Sequence, residues 1–380
     1  MNRLWTKSFI GMTLTLFFLF FGFYLLMPTL PLYIKQLGIS ESQVGLIVGV
    51  FTLAAVIARP IVGGLLDKFG RRVFIIVGLI VFGVSIYFYN WTAGIGMLIL
   101  LRIIHGFGWA LSSTAIGTSI TDVIPADRRG EGMGWYGMAT SISMALGPII
   151  GLWIIQRSSF SNLFIFILGL TLVSFLIAMI TKIPFAKSEH SRRIEFFDKS
   201  VLPASLAIFF LSFTYGGITT FMPLFAESIH VSSSTFFLVY AITLTASRPI
   251  AGKLADRYSE RTIIFPSLII AAIALLVLSF SDGLSGIIWA AILYGIGFGA
   301  AQPTLQAVIL RLVPSHKKGV ANASYLTALD LGIGVGAILL GVVSQYMGYK
   351  MLFTVCVISA LISLLIFVKF VKQNVTSSQK

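Results

Sequence analysis

The stretch Arg59–Arg72 reads RPIVGGLLDKFGRR and is the first dense polar cluster between two long apolar runs. A related stretch, Arg248–Arg257, reads RPIAGKLADR. Its Arg, Pro, Gly and Asp keep the order and spacing of the first stretch, so one constant shift in numbering, from Arg59 to Arg248, relates all four pairs. We call this shift the repeat offset. A chain that repeats its most polar element half-way along is typical of an internal duplication.

The composition indicates a membrane protein. Of the 380 residues, 57% are hydrophobic and 11% are charged, whereas an average soluble domain has about 45–50% apolar and about 25% charged residues. A soluble core cannot bury this many helices that are apolar on every side. We therefore predict an all-α polytopic protein with about twelve spanning helices. The predicted spans are 8–32, 43–66, 73–90, 94–121, 131–155, 162–182, 201–226, 233–254, 262–280, 285–310, 319–342 and 350–369.

The distribution of Lys and Arg predicts the orientation. Twenty-one of the 27 basic residues fall at the chain ends, on one set of alternate predicted loops or at the span ends beside that set. Three fall on or beside the opposite set, and three lie deeper inside spans. This positive-inside pattern places both termini in the cytoplasm of a plasma (inner) membrane protein. It also explains the net charge of +14 without a nucleic-acid partner.

Cofactor and metal chemistry have no support in the sequence. The single cysteine, Cys356, and four scattered histidines offer no disulfide framework and no metal-ligand spacing. A phosphate-binding loop for ATP is also missing from the sequence. We expect no metal, no cofactor and no enzymatic activity.

The duplication predicts the domain organisation. Gly106 and Gly108 recur as Gly295 and Gly297, again at the repeat offset. The prediction is an N-terminal six-helix bundle (1–182), a polar cytoplasmic linker (183–199), a C-terminal six-helix bundle (200–371) and a cytoplasmic tail (372–380).

The repeated stretch also carries a family resemblance. The pattern Gly63-x3-Asp67-Lys68-x-Gly70-Arg71-Arg72 resembles the signature of the major facilitator superfamily (MFS) between its second and third helices. Three further patterns are similar to motifs of its twelve-helix drug:proton antiporters. They are Gly22-x5-Pro28-x2-Pro31 in the first span, Arg102-x3-Gly106-x-Gly108 in the fourth, and Gly147-Pro148-x2-Gly151, the antiporter motif, in the fifth. The resemblance covers the whole chain and implies two six-helix bundles, alternating access and a monomer.

The resemblance further implies a conformational latch at the inner face. Its residues would be Gly63, Asp67, Gly70, Arg71, Arg72 and Asp122, with Asp256 and Arg257 in the second copy. The second copy is degenerate, since Ser259 and Glu260 replace Gly70 and Arg71. The counterpart of Asp122 is Arg311, so we expect an asymmetric network. A glycine such as Gly70 permits the positive φ that a tight turn between helices requires.

Three residues are candidates for proton coupling. Among the thirteen acids, Asp330 alone lies near the middle of a predicted span, where a charge costs about 2.5–3.5 kcal/mol on insertion scales. It is either a proton- or substrate-coupling carboxyl or a structural hydrogen-bonding group. Arg102 is the deepest base, and the resemblance implies a role for it in coupling. His105 lies three residues on, on the same helix face, as either a proton relay or a packing residue.

The substrate is predicted only as a class. Seven aromatic residues are candidates to line a cavity: Tyr24, Trp109, Tyr136, Tyr215, Phe221, Tyr240 and Tyr294. The favoured function is proton-coupled export of small lipophilic or amphipathic compounds, with membrane lipid as the surroundings. The first span carries no acid, unlike many cation-exporting relatives, which argues against lipophilic cations as the main substrate. The alternatives are a dedicated exporter of one metabolite such as a sugar or metallophore, a proton-coupled importer and a non-transporting membrane sensor.

Overall fold

The computed structural model of this chain describes residues 4–92, 94–125, 128–183, 199–258, 260–314 and 318–371. The predicted tail and all but the end residues of the predicted linker lie outside these ranges. Every regular element within them is helical. The first six helices are α1 (Lys7–Gln36), α2 (Glu41–Phe69), α3 (Arg71–Phe88), α4 (Ile95–Val123), α5 (Arg129–Arg157) and α6 (Phe160–Ile180). The others are α7 (Leu202–Ser228), α8 (Ser233–Arg257), α9 (Glu260–Ser279), α10 (Leu284–Arg311) and α11 (Lys318–Ile366).

Helix α11 has the length of two membrane crossings. A straight helix of its 49 residues would be about 74 Å long at about 1.5 Å per residue, against about 30 Å for the hydrocarbon layer. Gly348 interrupts the helical geometry with φ 80° and ψ 172°, a conformation that residues with a Cβ rarely adopt. The helix therefore consists of two segments joined at Gly348, which confirms the two separate spans predicted from the sequence.

Ten helices of the described part are long and apolar enough to cross a membrane. Helix α8 is the one outside this set, and its sequence includes Arg248, Lys253 and Arg257. With α8 and with α11 counted as two segments, the described helices agree with the expected number of about twelve spans. The tight turn between α2 and α3 also forms as predicted, since Gly70 has a φ of 83°.

The described residues divide into two compact units. The first comprises those in Met1–Tyr33 and Val50–Ile194, and the second those in Ile34–Gly49 and Glu195–Lys380. Helix α2 thus contributes its first turns to the second unit. There, a Cβ added at Gly45 would collide with the carbonyl oxygen of Ala337, and one at Gly341 would lie 2.8 Å from the carbonyl oxygen of Glu41. Glycines on both helices allow this close backbone contact between α2 and α11.

The repeated glycines have the same packing role in both units. A Cβ added at Gly108 of α4 would lie 2.8 Å from the backbone nitrogen of Phe82 in α3. One added at Gly297 of α10 would lie 2.6 Å from the backbone nitrogen of Ala271 in α9. Phe82 and Ala271 are themselves related by the repeat offset, so the sequence repeat is a repeat of helix contacts.

Candidate functional site

A buried polar cluster lies within the first unit. Arg102 and His105 lie on one face of α4 and are 2% and 0% exposed. The 3-10 turn Tyr89–Trp91 after α3 brings Tyr89 onto them, also at 0% exposure. The hydroxyl of Tyr89 accepts a hydrogen bond from the Arg102 guanidinium and is 3.1 Å from Nδ1 of His105. Arg102 and His105 share one face of α4, as their spacing predicted, and Tyr89 is an addition that the sequence did not indicate.

Aromatic rings surround this cluster. The Arg102 guanidinium carbon lies 4.1 Å from the ring centre of Phe51 in α2, a cation–π contact. The His105 ring packs edge-on against Phe51 and Phe82 at centroid distances of 5.0 and 4.4 Å. These rings exclude water from the cationic group and so strengthen its electrostatic interactions.

The helix ends near Gly70 hold an ion pair. Nε of Arg71, the first residue of α3, donates to Oδ2 of Asp122 near the end of α4 at 3.0 Å, and Nη1 donates to the carbonyl oxygen of Leu66 at 2.9 Å. Arg72 donates to the carbonyl oxygen of Met179 at 2.6 Å, and so satisfies one of the last carbonyl groups of α6. The structure thus pairs two of the predicted latch residues, Arg71 and Asp122, and connects a third, Arg72, to α6.

The second unit has the same ion pair with its charges exchanged. Glu260, the first residue of α9, pairs with Arg311, the last residue of α10. The repeat offset relates these positions to Arg71 and Asp122. The expected asymmetry is therefore one of charge. The two pairs occupy equivalent positions in the two units, but the acidic and basic residues are exchanged. The offset was the signal that could have revealed this pair from the sequence.

The four remaining predicted latch residues are Gly63, Asp67, Asp256 and Arg257. The side chains of Asp67 and Asp256 lie outside what the structure describes. Gly63 has open space where a Cβ would stand. Arg257 is exposed, with its guanidinium carbon 5.5 Å from the ring centre of Tyr258.

The motifs of α1 and α5 form a close helix contact. A Cβ added at Gly147 would lie 2.5 Å from the Cβ of Tyr24, and one at Gly151 would lie 2.5 Å from the carbonyl oxygen of Leu25. Pro148 is buried inside α5, which stays helical through it. In α1, Gly22, Pro28 and Pro31 are all buried. A Cβ added at Gly22 would lie 3.2 Å from Cγ2 of Ile167 in α6.

Asp330 lies in the first segment of α11 and is half-buried. This segment packs against α7, where a Cβ added at Gly336 would lie 2.5 Å from the carbonyl oxygen of Phe213. Arg102 belongs to the first unit and Asp330 to the second.

The aromatic candidates fall into two groups. Tyr24 and Tyr136 are half-buried. The other five, with exposures of 5% or less, are buried: Trp109, Tyr215, Phe221, Tyr240 and Tyr294. The hydroxyl of Tyr294 is 2.8 Å from Oγ1 of Thr214.

A chain of hydrogen bonds connects three helices of the second unit. Arg248 of α8 donates to Gln302 of α10 at 2.9 Å, and the Gln302 amide donates to the hydroxyl of Tyr325 in α11 at 2.9 Å. One turn along, Gln306 donates to Asn322 at 2.9 Å. This polar seam was not predicted, because its members are ordinary residues at the sequence level.

The fold and its buried polar groups define a multi-pass helical membrane protein of the transporter type. The model of the Major Facilitator Superfamily matches residues 12–334 and 204–380. The chain belongs to the major facilitator superfamily, whose members transport small-molecule substrates.

Two relatives resemble the chain over most of their length. The staphylopine export protein of Staphylococcus aureus (strain Mu50) is 25% identical over 366 residues, which cover 90% of each protein. The quinolone resistance protein NorA of the same strain is 25% identical over 343 residues, which cover 86% of this chain and 87% of NorA.

Solved structures confirm the fold. A mutant of the nucleoside transporter NupG superposes with a TM-score of 0.78 at 14% identity, over 95% of this chain and 99% of that chain. A bacterial homolog of the human lysosomal transporter Spinster gives a TM-score of 0.78 at 16% identity, over 97% of each chain. At these identities the likeness concerns the fold alone.

Proposed function

We propose that this protein is a proton-coupled exporter of small lipophilic or amphipathic compounds that works by alternating access. The single observation that carries the proposal is the burial of Arg102, a permanent cation, at 2% exposure within a membrane-spanning helix. A buried charge at this depth costs free energy and is a functional feature by default. The staphylopine export protein among the relatives supports the direction of transport.

Within this proposal, Asp330 is the carboxyl that binds and releases the proton. Arg102 is its functional complement, and His105 lies beside it on the same face of α4. The ion pair of Arg71 with Asp122 acts in the latch that controls the conformational equilibrium. Transport takes place in the plasma membrane, with both termini cytoplasmic, by a monomer that exchanges substrate for protons.

A dedicated exporter of one polar metabolite is the second candidate. The polar seam from Arg248 through Gln302 to Tyr325 favours it, because purely apolar substrates have no use for such a row of hydrogen-bonding groups. The similarity to a staphylopine exporter points the same way.

The test uses purified protein in liposomes with an imposed pH gradient. A panel of lipophilic dyes and antibiotics is added, and wild type is compared with Asp330→Asn. The matched control is Asp282→Asn, a carboxyl with 72% side-chain exposure that pairs with Lys350 at 2.6 Å. We expect wild type and the control to move a compound against its gradient, and Asp330→Asn only to equilibrate it.

Three other outcomes separate the alternatives. Equal pumping by both variants would remove Asp330 from the mechanism. Downhill movement that ignores the pH gradient in wild type would contradict proton coupling. No movement of any compound on the panel would reject the broad specificity and favour a dedicated metabolite exporter.

A further inference from the structure

Tyr89 is fully buried, and its side chain meets Arg102 and His105 of α4. It follows α3 directly, and its carbonyl oxygen accepts a hydrogen bond of 2.8 Å from the hydroxyl of Tyr33 in α1. Its own hydroxyl contacts Arg102 and His105. Tyr89 is therefore held at two points. Its backbone carbonyl is bonded to Tyr33, and its side-chain hydroxyl is bonded to the two α4 residues.

The chemistry of the three side chains sets the direction of both hydrogen bonds. A guanidinium has only donors, so the Tyr89 oxygen accepts from Arg102. The hydrogen of the Tyr89 hydroxyl then needs an acceptor. In the described part of the chain the only one at this hydroxyl is Nδ1 of His105, at 3.1 Å.

It follows that His105 is neutral and carries its hydrogen on Nε2. This nitrogen is buried and has no hydrogen-bond partner among the described residues, and the ring makes T-shaped contacts with Phe51 and Phe82. A second proton would turn Nδ1 into a donor. The Tyr89 hydroxyl would then accept twice, its own hydrogen would lose its acceptor, and an imidazolium would stand beside the Arg102 cation.

We propose that Tyr89 is a positioning residue, which holds the Arg102 guanidinium in place and keeps His105 in the neutral Nε2–H tautomer. His105 then anchors the tyrosine and does not carry the transported proton. Among the described residues, the titratable groups that face this site are Arg102 and His105 from α4, Tyr89 itself and Tyr33 from α1. The proposal deepens the proposed function and rests on it for the role of Arg102.

The first experiment reads the tautomer directly and needs no transport. Histidine labelled with ¹⁵N is incorporated into the full chain, which has four histidines, and the His105 signal is assigned with His105→Asn. We expect the Nε2–H form throughout, from about pH 5 to about pH 8, where an ordinary histidine changes charge. In Tyr89→Phe the tautomer preference should be lost. A His105 that protonates in this range, or that carries its hydrogen on Nδ1, would overturn the assignment.

The second experiment measures uphill transport in the same liposomes. Tyr89→Phe removes one hydroxyl bonded to a cation, and we expect about a tenfold loss of maximal rate. Tyr87→Phe is the control, because Tyr87 is 48% exposed and belongs to the adjoining end of α3. His105→Asn keeps an acceptor for Tyr89 and cannot take a proton, so we expect a rate within about threefold of wild type.

The outcomes distinguish this proposal from the proposed function. Wild-type rates in Tyr89→Phe would overturn the positioning role. Loss of the pH-driven component in His105→Asn, with unfolding temperature unchanged, would make His105 a proton carrier and overturn its neutrality. If wild type itself does not pump, the proposed function fails, while the ¹⁵N spectra still decide whether Tyr89 sets the tautomer.

Discussion

The two halves of the chain share their packing but differ in their buried polar groups. The three cluster residues of the first half are Tyr89, Arg102 and His105. Their counterparts at the repeat offset, all 0% exposed, are Leu278, Ala291 and Tyr294. The second half therefore has two buried apolar residues and a neutral pair of hydroxyls, Tyr294 with Thr214, where the first half has a cationic network.

The glycine contacts, by contrast, remain in both halves. A Cβ added at Gly106 would meet the carbonyl oxygen of Phe51, and one added at Gly295 would lie 3.0 Å from that of Tyr240, the counterpart of Phe51. Backbone contacts of this kind leave no room for any side chain, so they persist for as long as the helices pack in this way. A buried cation needs partners on several helices, and the first half supplies them at this position.

The helix-end ion pairs show a second difference. Glu260 begins α9 and Arg311 ends α10, which places each charge where the helix dipole favours it. Arg71 begins α3 and Asp122 lies at the end of α4, which is the unfavourable arrangement. The first half thus keeps a pair that its helix dipoles oppose, as expected if that pair serves conformational control and not helix stability.

The largest effect is expected from removing the charge of Arg102, which the second half lacks at the matching position, Ala291. For Arg102→Met we expect uphill transport to fall at least about 100-fold, about 2.7 kcal/mol, because the cluster loses its permanent cation. Initial rates in liposomes measure it, with Arg157→Met as the control, an arginine at the exposed end of α5. Full activity of Arg102→Met would show that transport does not need the buried charge of the first half, whose place in the second half is taken by Ala291.

The next test concerns what the halves share. Gly108→Ala and Gly297→Ala should each lower the free energy of unfolding by about 1–3 kcal/mol, since each Cβ would collide with the backbone of a neighbouring helix. Gly63→Ala, in open space, should cost nothing. Unfolding in detergent measures all three. A marked difference between Gly108→Ala and Gly297→Ala would contradict equivalent packing.

The smallest effects are expected at the ion pairs. Asp122 has 36% and Arg311 65% side-chain exposure, so double-mutant cycles on the two pairs should each give a coupling of about 0.2–1 kcal/mol. Exchange of the first pair, Arg71→Glu with Asp122→Arg, should keep this coupling and gain about 0.3–1 kcal/mol per charge from the dipoles. Unfolding free energies at low and high salt measure both. An exchanged variant that is clearly less stable than wild type would refute the dipole argument.

Much of the fold was predictable because its causes act locally along the chain. Long apolar runs must form helices in a bilayer, and the positive φ of Gly70 follows from a one-residue connection between α2 and α3. The glycines that recur at the repeat offset indicated that the two halves are built alike. The spacing of Arg102 and His105 placed them on one face of α4.

The partners of those residues were not predictable in the same way. Tyr89 is one of twelve tyrosines, and only the 3-10 turn after α3 brings its hydroxyl to Arg102. The polar seam of Arg248, Gln302 and Tyr325 joins three helices that no sequence pattern relates. The repeat offset relates Glu260 and Arg311 to Arg71 and Asp122. Whether they form an ion pair, however, depends on where α9 begins and α10 ends.

The sequence by itself determined the membrane class, the number and order of helices, the duplication and the position of the deepest charges. Hydropathy and residue spacing are properties of neighbouring positions, and they act before any tertiary contact forms. The tertiary structure alone decided which donor meets which acceptor. Hydrogen bonds require approach to about 3 Å, and only packed helices bring residues that are distant in the chain so close together.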